Sequence, residues 1–107
     1  MLIATTERVA GFRVVQTLGE VFGVVVRSRG LGGNIMAGLR SIAGGEIKEY
    51  THLLEETRTQ AIERMVAHAQ ERGANAVVMM RFDSSSISSS MSEIVAYGTA
   101  VKIEPET

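Results

Sequence analysis

The chain has 107 residues, a net charge of −1 from 11 Lys and Arg against 12 Asp and Glu, and no cysteine. Such a chain suits one domain, 1–107, that buries roughly two thirds of its unfolded surface in a single modest core. Disulfides, thiolate metal sites and a cysteine nucleophile are excluded, and with no basic stripe and few aromatics (Phe12, Phe22, Tyr50, Phe82 and Tyr97) there is no footprint for nucleic acid.

The first residues, Met-Leu-Ile-Ala-Thr-Thr-Glu-Arg, lack a basic region followed by a long apolar run. No apolar stretch approaches the roughly 18 to 20 residues of a membrane span. The expectation is a cytoplasmic protein with no membrane partner.

Residues 12–18 read as a strand, Gly19-Glu20 as a turn signal, and 21–29 as a second strand centred on Val24-Val25-Val26. The two runs form either a hairpin or one bent strand. Gly23 within the second suggests a bulge or a close backbone approach. A glycine-rich stretch follows, Arg27-Ser28-Arg29-Gly30-Leu31-Gly32-Gly33-Asn34, and residues 34–43 carry a short helical pattern capped by Asn34. Gly44-Gly45 interrupts the chain before Glu46.

The spacing then predicts a long amphipathic helix from about Glu46 or Glu49 to Arg72, with Gly73 as its stop. Tyr50, Leu53, Leu54, Thr57, Ala61, Ile62, Met65 and Ala69 recur at three- and four-residue steps. Residues 74–83 read as a strand. Ser84 to Ser92, seven serines in nine positions, read as a flexible polar hairpin loop. Residues 93–103 form the last strand, and Pro105 ends its pairing. One face of that strand carries Val95, Tyr97, Thr99 and Val101, the other only Ala96, Gly98 and Ala100, which lets a helix or a neighbouring chain pack close.

The fold class is α+β. The pattern is ββαβ or ββααβ, with a long helix laid on a mostly antiparallel sheet. One helix covers one face of such a sheet, and the opposite face would leave many apolar residues in water, which argues for a homo-oligomer.

Gly44-Gly45, Tyr50, Arg58 with Ala61, Gly73-Ala74-Asn75-Ala76-Val77 and Gly98-Thr99-Ala100-Val101, in this order and spacing, resemble the YbjQ-like family, small proteins of unknown function often labelled "putative heavy-metal-binding". The resemblance covers nearly the whole chain. It implies a two-layer domain with a dodecin-like sheet, and a ring-shaped homopentamer in which sheets of neighbouring subunits meet. It implies a metal ion as ligand and brings no enzyme activity. Related members often carry an Arg-Asp pair just before the Ile that opens the short helix, and here Gly33-Asn34 stands there.

Two histidines are available to a metal. His52 and His68 are sixteen residues apart on the predicted helix, roughly 24 Å along it and about 160° around it, so one chain cannot bring them together. His52 falls on the polar face. His68 falls near the edge of the apolar stripe, almost in line with Tyr50, and is the residue to which a metal role would fall, five copies at a time in a ring.

The residues themselves favour a small anion. Arg27, Arg29 and Arg40 surround the glycine stretch, whose junction with a helix offers free N–H groups. Taking Tyr50 as zero, Arg58 falls at about 80° and Glu46 at about −40° on the wheel, both on the apolar arc, whose stripe is centred between them. Arg58 is thus expected to be substantially buried with a charged or carbonyl partner. The candidate anion or interface set is Arg27, Arg29, Arg40, Gly44, Gly45, Glu46, Tyr50 and Arg58. Gly30-Leu31-Gly32-Gly33-Asn34-Ile35 fails as a dinucleotide fingerprint, because Ile35 occupies the third glycine position. No nucleophile–base pair is evident, and Asp83 is the only aspartate. The reading is a non-catalytic oligomer that binds a metal ion or a small anion, or alternatively a small-molecule enzyme with its site between subunits.

Overall fold

The computed structural model describes residues 1–28, 48–88 and 91–107, with Glu49 and Tyr50 by backbone alone. The predicted short helix, the glycine stretch from Gly30, and Arg29, Arg40, Gly44, Gly45 and Glu46 lie outside the described residues. The elements are β1 (Leu2–Ile3), β2 (Phe12–Ser28), α1 (Lys48–Glu71), β3 (Ala76–Ser88) and β4 (Met91–Pro105). The four strands form one mixed sheet in the order β1-β3-β4-β2.

The predicted strands 12–18 and 21–29 are one strand. Gly19 does not turn the chain back. It takes a left-handed φ of +102° at a register shift between Thr17 and Gly19, so β2 bends and continues along β4 from Phe12 opposite Pro105 to Ser28 opposite Met91. The two strands read after the helix, 74–83 and 93–103, are both present as β3 and β4, one more than the pattern ββαβ or ββααβ counts there. The serine run is not a loop either: β3 and β4 stay paired through Ser84–Ile94, Ser85–Glu93 and Ser86–Ser92 to Ser88–Met91. The reason is the third strand. Val24 to Ser28 of β2 line the other side of β4 there and hold its backbone extended whatever the side chains of β3. The sequence reading also missed β1, whose two residues pair in parallel with Ala76 and Val77.

The helix matches its prediction within a residue or two and ends as Gly73 requires. Gly73 has a φ of +80°, its N–H donates to Gln70 O at 3.0 Å, and the N–H of Ala74 donates to Ala69 O at 3.1 Å. This is the paired hydrogen-bond closure of a glycine-terminated helix. Asn75 then starts the next strand with its side chain, donating to Ile103 O and accepting from Ile103 N–H.

The helix docks along Thr57, Ala61, Met65 and Ala69, all essentially inaccessible. Thr57 satisfies its hydroxyl by donating to Leu53 O at 2.8 Å. The ridge meets Val21, Val25, Ala96 and Ala100 on the sheet. Gly23 allows the contact: a Cβ there would lie 2.2 Å from Ala61 O and 2.4 Å from Met65 N. The close approach expected of Gly23 is present, and it is made by the helix backbone. Gly98 answers a different neighbour. A Cβ there would lie 2.7 Å from Val77 Cγ1 and 2.9 Å from Val78 O, so the space it leaves is taken by β3 of the same chain.

Candidate functional site

An i, i+4 ridge does not run parallel to the helix axis. Each four-residue step turns it about 40°. The buried line Thr57–Ala61–Met65–Ala69 therefore drifts by about 120° over its length, and each end of the helix has its own buried direction. This geometry decides where the candidate side chains go.

At the N-terminal end, Arg58 follows Thr57 and is turned about 100° off the local ridge. It is exposed, not buried in an ion pair as expected; averaging the stripe over the whole helix had put it inside the arc. Its guanidinium lies 5.0 Å from the centre of the Phe82 ring, a cation–π contact. Leu54, Arg58, Phe82, Asp83, Glu93 and Ile94 line a shallow cavity of about 380 Å³ between the helix and the β3/β4 hairpin.

Arg27 comes from the far end of β2, opposite Ser92 of β4, which also lines that cavity. It is half-buried. Its Nη2 donates to Gln60 Oε1 at 2.9 Å, while its Nε is buried with no hydrogen-bond partner among the described residues. Arg27 and Arg58 thus flank the same end of the sheet. Tyr50 lies in the first turn of α1, and its side chain is outside the described residues.

At the C-terminal end the drift turns His68 toward β2, and it joins a row. Gln60, Arg64, His68 and Arg72 stand at four-residue intervals along one flank of α1. Besides the Gln60–Arg27 contact, Arg64 Nη1 donates to Val24 O and Arg72 Nη1 donates to Leu18 O at 3.2 Å. His68 Nδ1 sits 3.3 Å from Phe22 N and 3.4 Å from Phe22 O, and its ring meets the Phe22 ring edge-on at 5.3 Å. Among the described residues β2 is an edge strand, so Phe22 and Val24 turn backbone groups outward with no described strand to receive them. Two strand residues advance about 6.8 Å and four helix residues about 6 Å, so Arg64 and His68 meet Val24 and Phe22 in step, whereas Arg72 reaches four strand residues further, to Leu18 beyond Gly19. Free edges invite pairing with other chains, and here helix side chains cover one. The sequence signal was the four-residue recurrence of long polar residues beside the apolar ridge, which reads equally well as a solvated flank.

The face of the sheet away from the helix is covered differently. Ala4 and Thr6 pair with β3 through Met80 N–H to Ala4 O and Met79 N–H to Thr6 O, and the segment from Glu7 to Phe12 then arches over the sheet. Val9 and Ile103 pack against the buried cluster of Ala76, Val78 and Val101. Beside this arch lies an open cavity of about 520 Å³, walled by Phe12, Val14, Val78, Met79 and Val101 with Glu7 and Arg8 at its rim. Met79 has a φ of +56° at a register shift between β3 and β4, an unfavourable conformation for its side chain.

His52 is exposed on the polar flank, as expected. His68 has Nδ1 engaged with Phe22. Among the described residues no group of three or more His, Asp or Glu side chains could hold a metal ion. The described donor set therefore does not fit a resident metal within one chain.

One helix packed on a four-stranded mixed sheet, with an N-terminal arm over the other face, is an α+β fold also found in a protein of unknown function of the DUF74 family from Pediococcus pentosaceus ATCC 25745. The match has a TM-score of 0.63 and 14% identity and covers 97% of this chain and 98% of that one. Residues 1–104 match the YbjQ-like family model described as "Putative heavy-metal-binding". An uncharacterised UPF0145 protein of Bradyrhizobium sp. (strain ORS 278) is 64% identical over 98% of this chain and 95% of its own length. Another, of Methanocella arvoryzae, is 55% identical over 100% of this chain and 89% of its own. The chain belongs to the YbjQ-like family. No helix among the described residues is long and apolar enough to cross a membrane.

Proposed function

We propose that this protein is a non-catalytic cytoplasmic homo-oligomer, a pentameric ring with a two-layer, dodecin-like subunit, that holds a small anion near its subunit boundaries. The observation that carries the oligomer is the face away from the helix. Phe12, Val14, Val26 and Tyr97 are 37%, 45%, 50% and 43% exposed, and Met79 is 42% exposed beside them. A second copy is the covering that a ring supplies to every subunit alike, with sheets of neighbouring subunits meeting. The pentamer itself rests on the family resemblance.

The anion reading is supported by Arg27. A buried guanidinium N–H without an acceptor is costly, and an anion at that end of the sheet would supply one. The proposed seat joins Arg27 and Arg58 to Arg29, Arg40, Gly44, Gly45, Glu46 and Tyr50. The family description favours a heavy metal instead, and that reading would fall on Nε2 of His68, gathered from several subunits.

Titration calorimetry separates the two. Binding of inorganic phosphate that Arg27→Ala abolishes supports the anion seat. A stoichiometric, sub-micromolar zinc affinity that His68→Ala abolishes contradicts it.

A further inference from the structure

His68 occupies an unusual position in the row that covers the β2 edge. Arg64 and Arg72 carry only donors and cap only carbonyls. His68 is the one member that faces both an N–H and a C=O of the same residue, Phe22, at nearly equal distances from one ring atom, Nδ1. A single nitrogen cannot serve both at once. With a lone pair it accepts from the Phe22 N–H; carrying a proton it donates to the Phe22 C=O.

We propose that His68 is a pH-sensitive catch on the free edge of the sheet, capping the Phe22 N–H when neutral and the Phe22 C=O when protonated. In the neutral ring the tautomer with its proton on Nε2 leaves Nδ1 free to accept the edge N–H. Acid adds a proton to Nδ1, transfers the contact to the carbonyl, and uncovers one edge donor. The edge then presents a free N–H where a strand or an extended peptide could pair.

The charges around the ring set the sense of the change. Arg64 lies four residues before His68 on α1 and Arg72 four after it, one residue past the end of the helix, so the protonated ring makes a third cation in line, and like charges at this spacing are destabilising. Glu71 on the helix and Glu20 on β2 are the nearest acids in sequence on the two elements that meet here. Behind β2, β4 places Tyr97 opposite Phe22, and β3 places Arg81 opposite Tyr97, with its Nη1 committed to Thr5 O and Met80 O. Protonation therefore loosens the fit of helix to edge locally and leaves the buried ridge in place.

The chain makes the test clean, because it has two histidines and no cysteine, and histidine is the side chain that ordinarily titrates between about pH 5 and 8. The experiment follows backbone amide and histidine ring resonances of the intact protein from pH 8 to 5.5, with hydrogen exchange corrected for its intrinsic pH dependence. The proposal expects the Phe22 amide to shift in step with the His68 ring. Its protection should fall about fivefold on protonation, the worth of one ordinary hydrogen bond. His68→Gln, which accepts or donates without titrating, should abolish that dependence, and His52→Gln should leave it intact. A Phe22 amide that ignores the His68 titration overturns the proposal without any variant. So does a shift that tracks His52, or one that persists in His68→Gln.

Discussion

β4 shows how differently the two faces of this sheet are finished. On one face it offers Ala96, Gly98 and Ala100, all buried, Ala96 and Ala100 in the core with Ala61, Met65 and Ala69 of the helix and Gly98 against β3. On the other it offers Tyr97, Thr99 and Val101, and only Val101 is covered, by the N-terminal arm. The first face is closed by backbone approaching backbone and tolerates no added atom. The second keeps an open cavity and exposed apolar side chains beside the arm of six residues from Glu7 to Phe12. Small residues mark what the chain completes within itself, and the large exposed ones are what the proposed oligomer would cover.

The sharpest way to break that contrast is Gly23→Ala. Its methyl would enter the backbone of α1 at Ala61 and Met65, which cannot swing aside as a side chain can. Overpacking costs about 1–3 kcal/mol and occasionally more; this site should reach or pass about 3 kcal/mol, seen as a fall in urea midpoint with unchanged slope. Gly98→Ala comes next, at about 1–3 kcal/mol, because one of its two closest neighbours is a movable Val77 methyl and the other is backbone. Equal melting temperatures for Gly98→Ala and the parent would show that β3 does not need that space.

The second face should respond in the opposite way. Val14→Asp and Tyr97→Asp are expected to keep the circular dichroism of the parent while dissociating the oligomer, so size-exclusion elution should move where the fold signal does not. Loss of fold without a folded monomer would argue that this face is closed within the chain. The smallest effect belongs to Arg58→Ala. The side chain rests on Phe82 at the surface, so thermal unfolding should shift by an amount equivalent to about 0.5 kcal/mol or less. A large loss would point to a buried partner after all.

The closed face was largely legible in the sequence. Its helix shows in the four-residue recurrence, its stop in Gly73, and its close contact in Gly23. Two things hid the rest. Strand pairing is a property of neighbours, so the serine run carries no local sign that β2 and β4 hold it extended, and Leu2-Ile3 is too short to show any period. The direction of burial also rotates along an i, i+4 ridge, so one averaged wheel put Arg58 inside and gave no sign that His68 faces a strand edge. Of the candidate site, Arg27 and Arg58 do sit at one end of the sheet, while the acidic partner sought for Arg58, Glu46, falls outside the described residues.

The measurement that bears most directly on the two-face account is light scattering on the purified protein at micromolar concentration. The account predicts a single species at a multiple of the 11.5 kDa chain mass, five times for the ring proposed here. A stable, folded monomer at that concentration would contradict it, because the exposed face would then need no second chain.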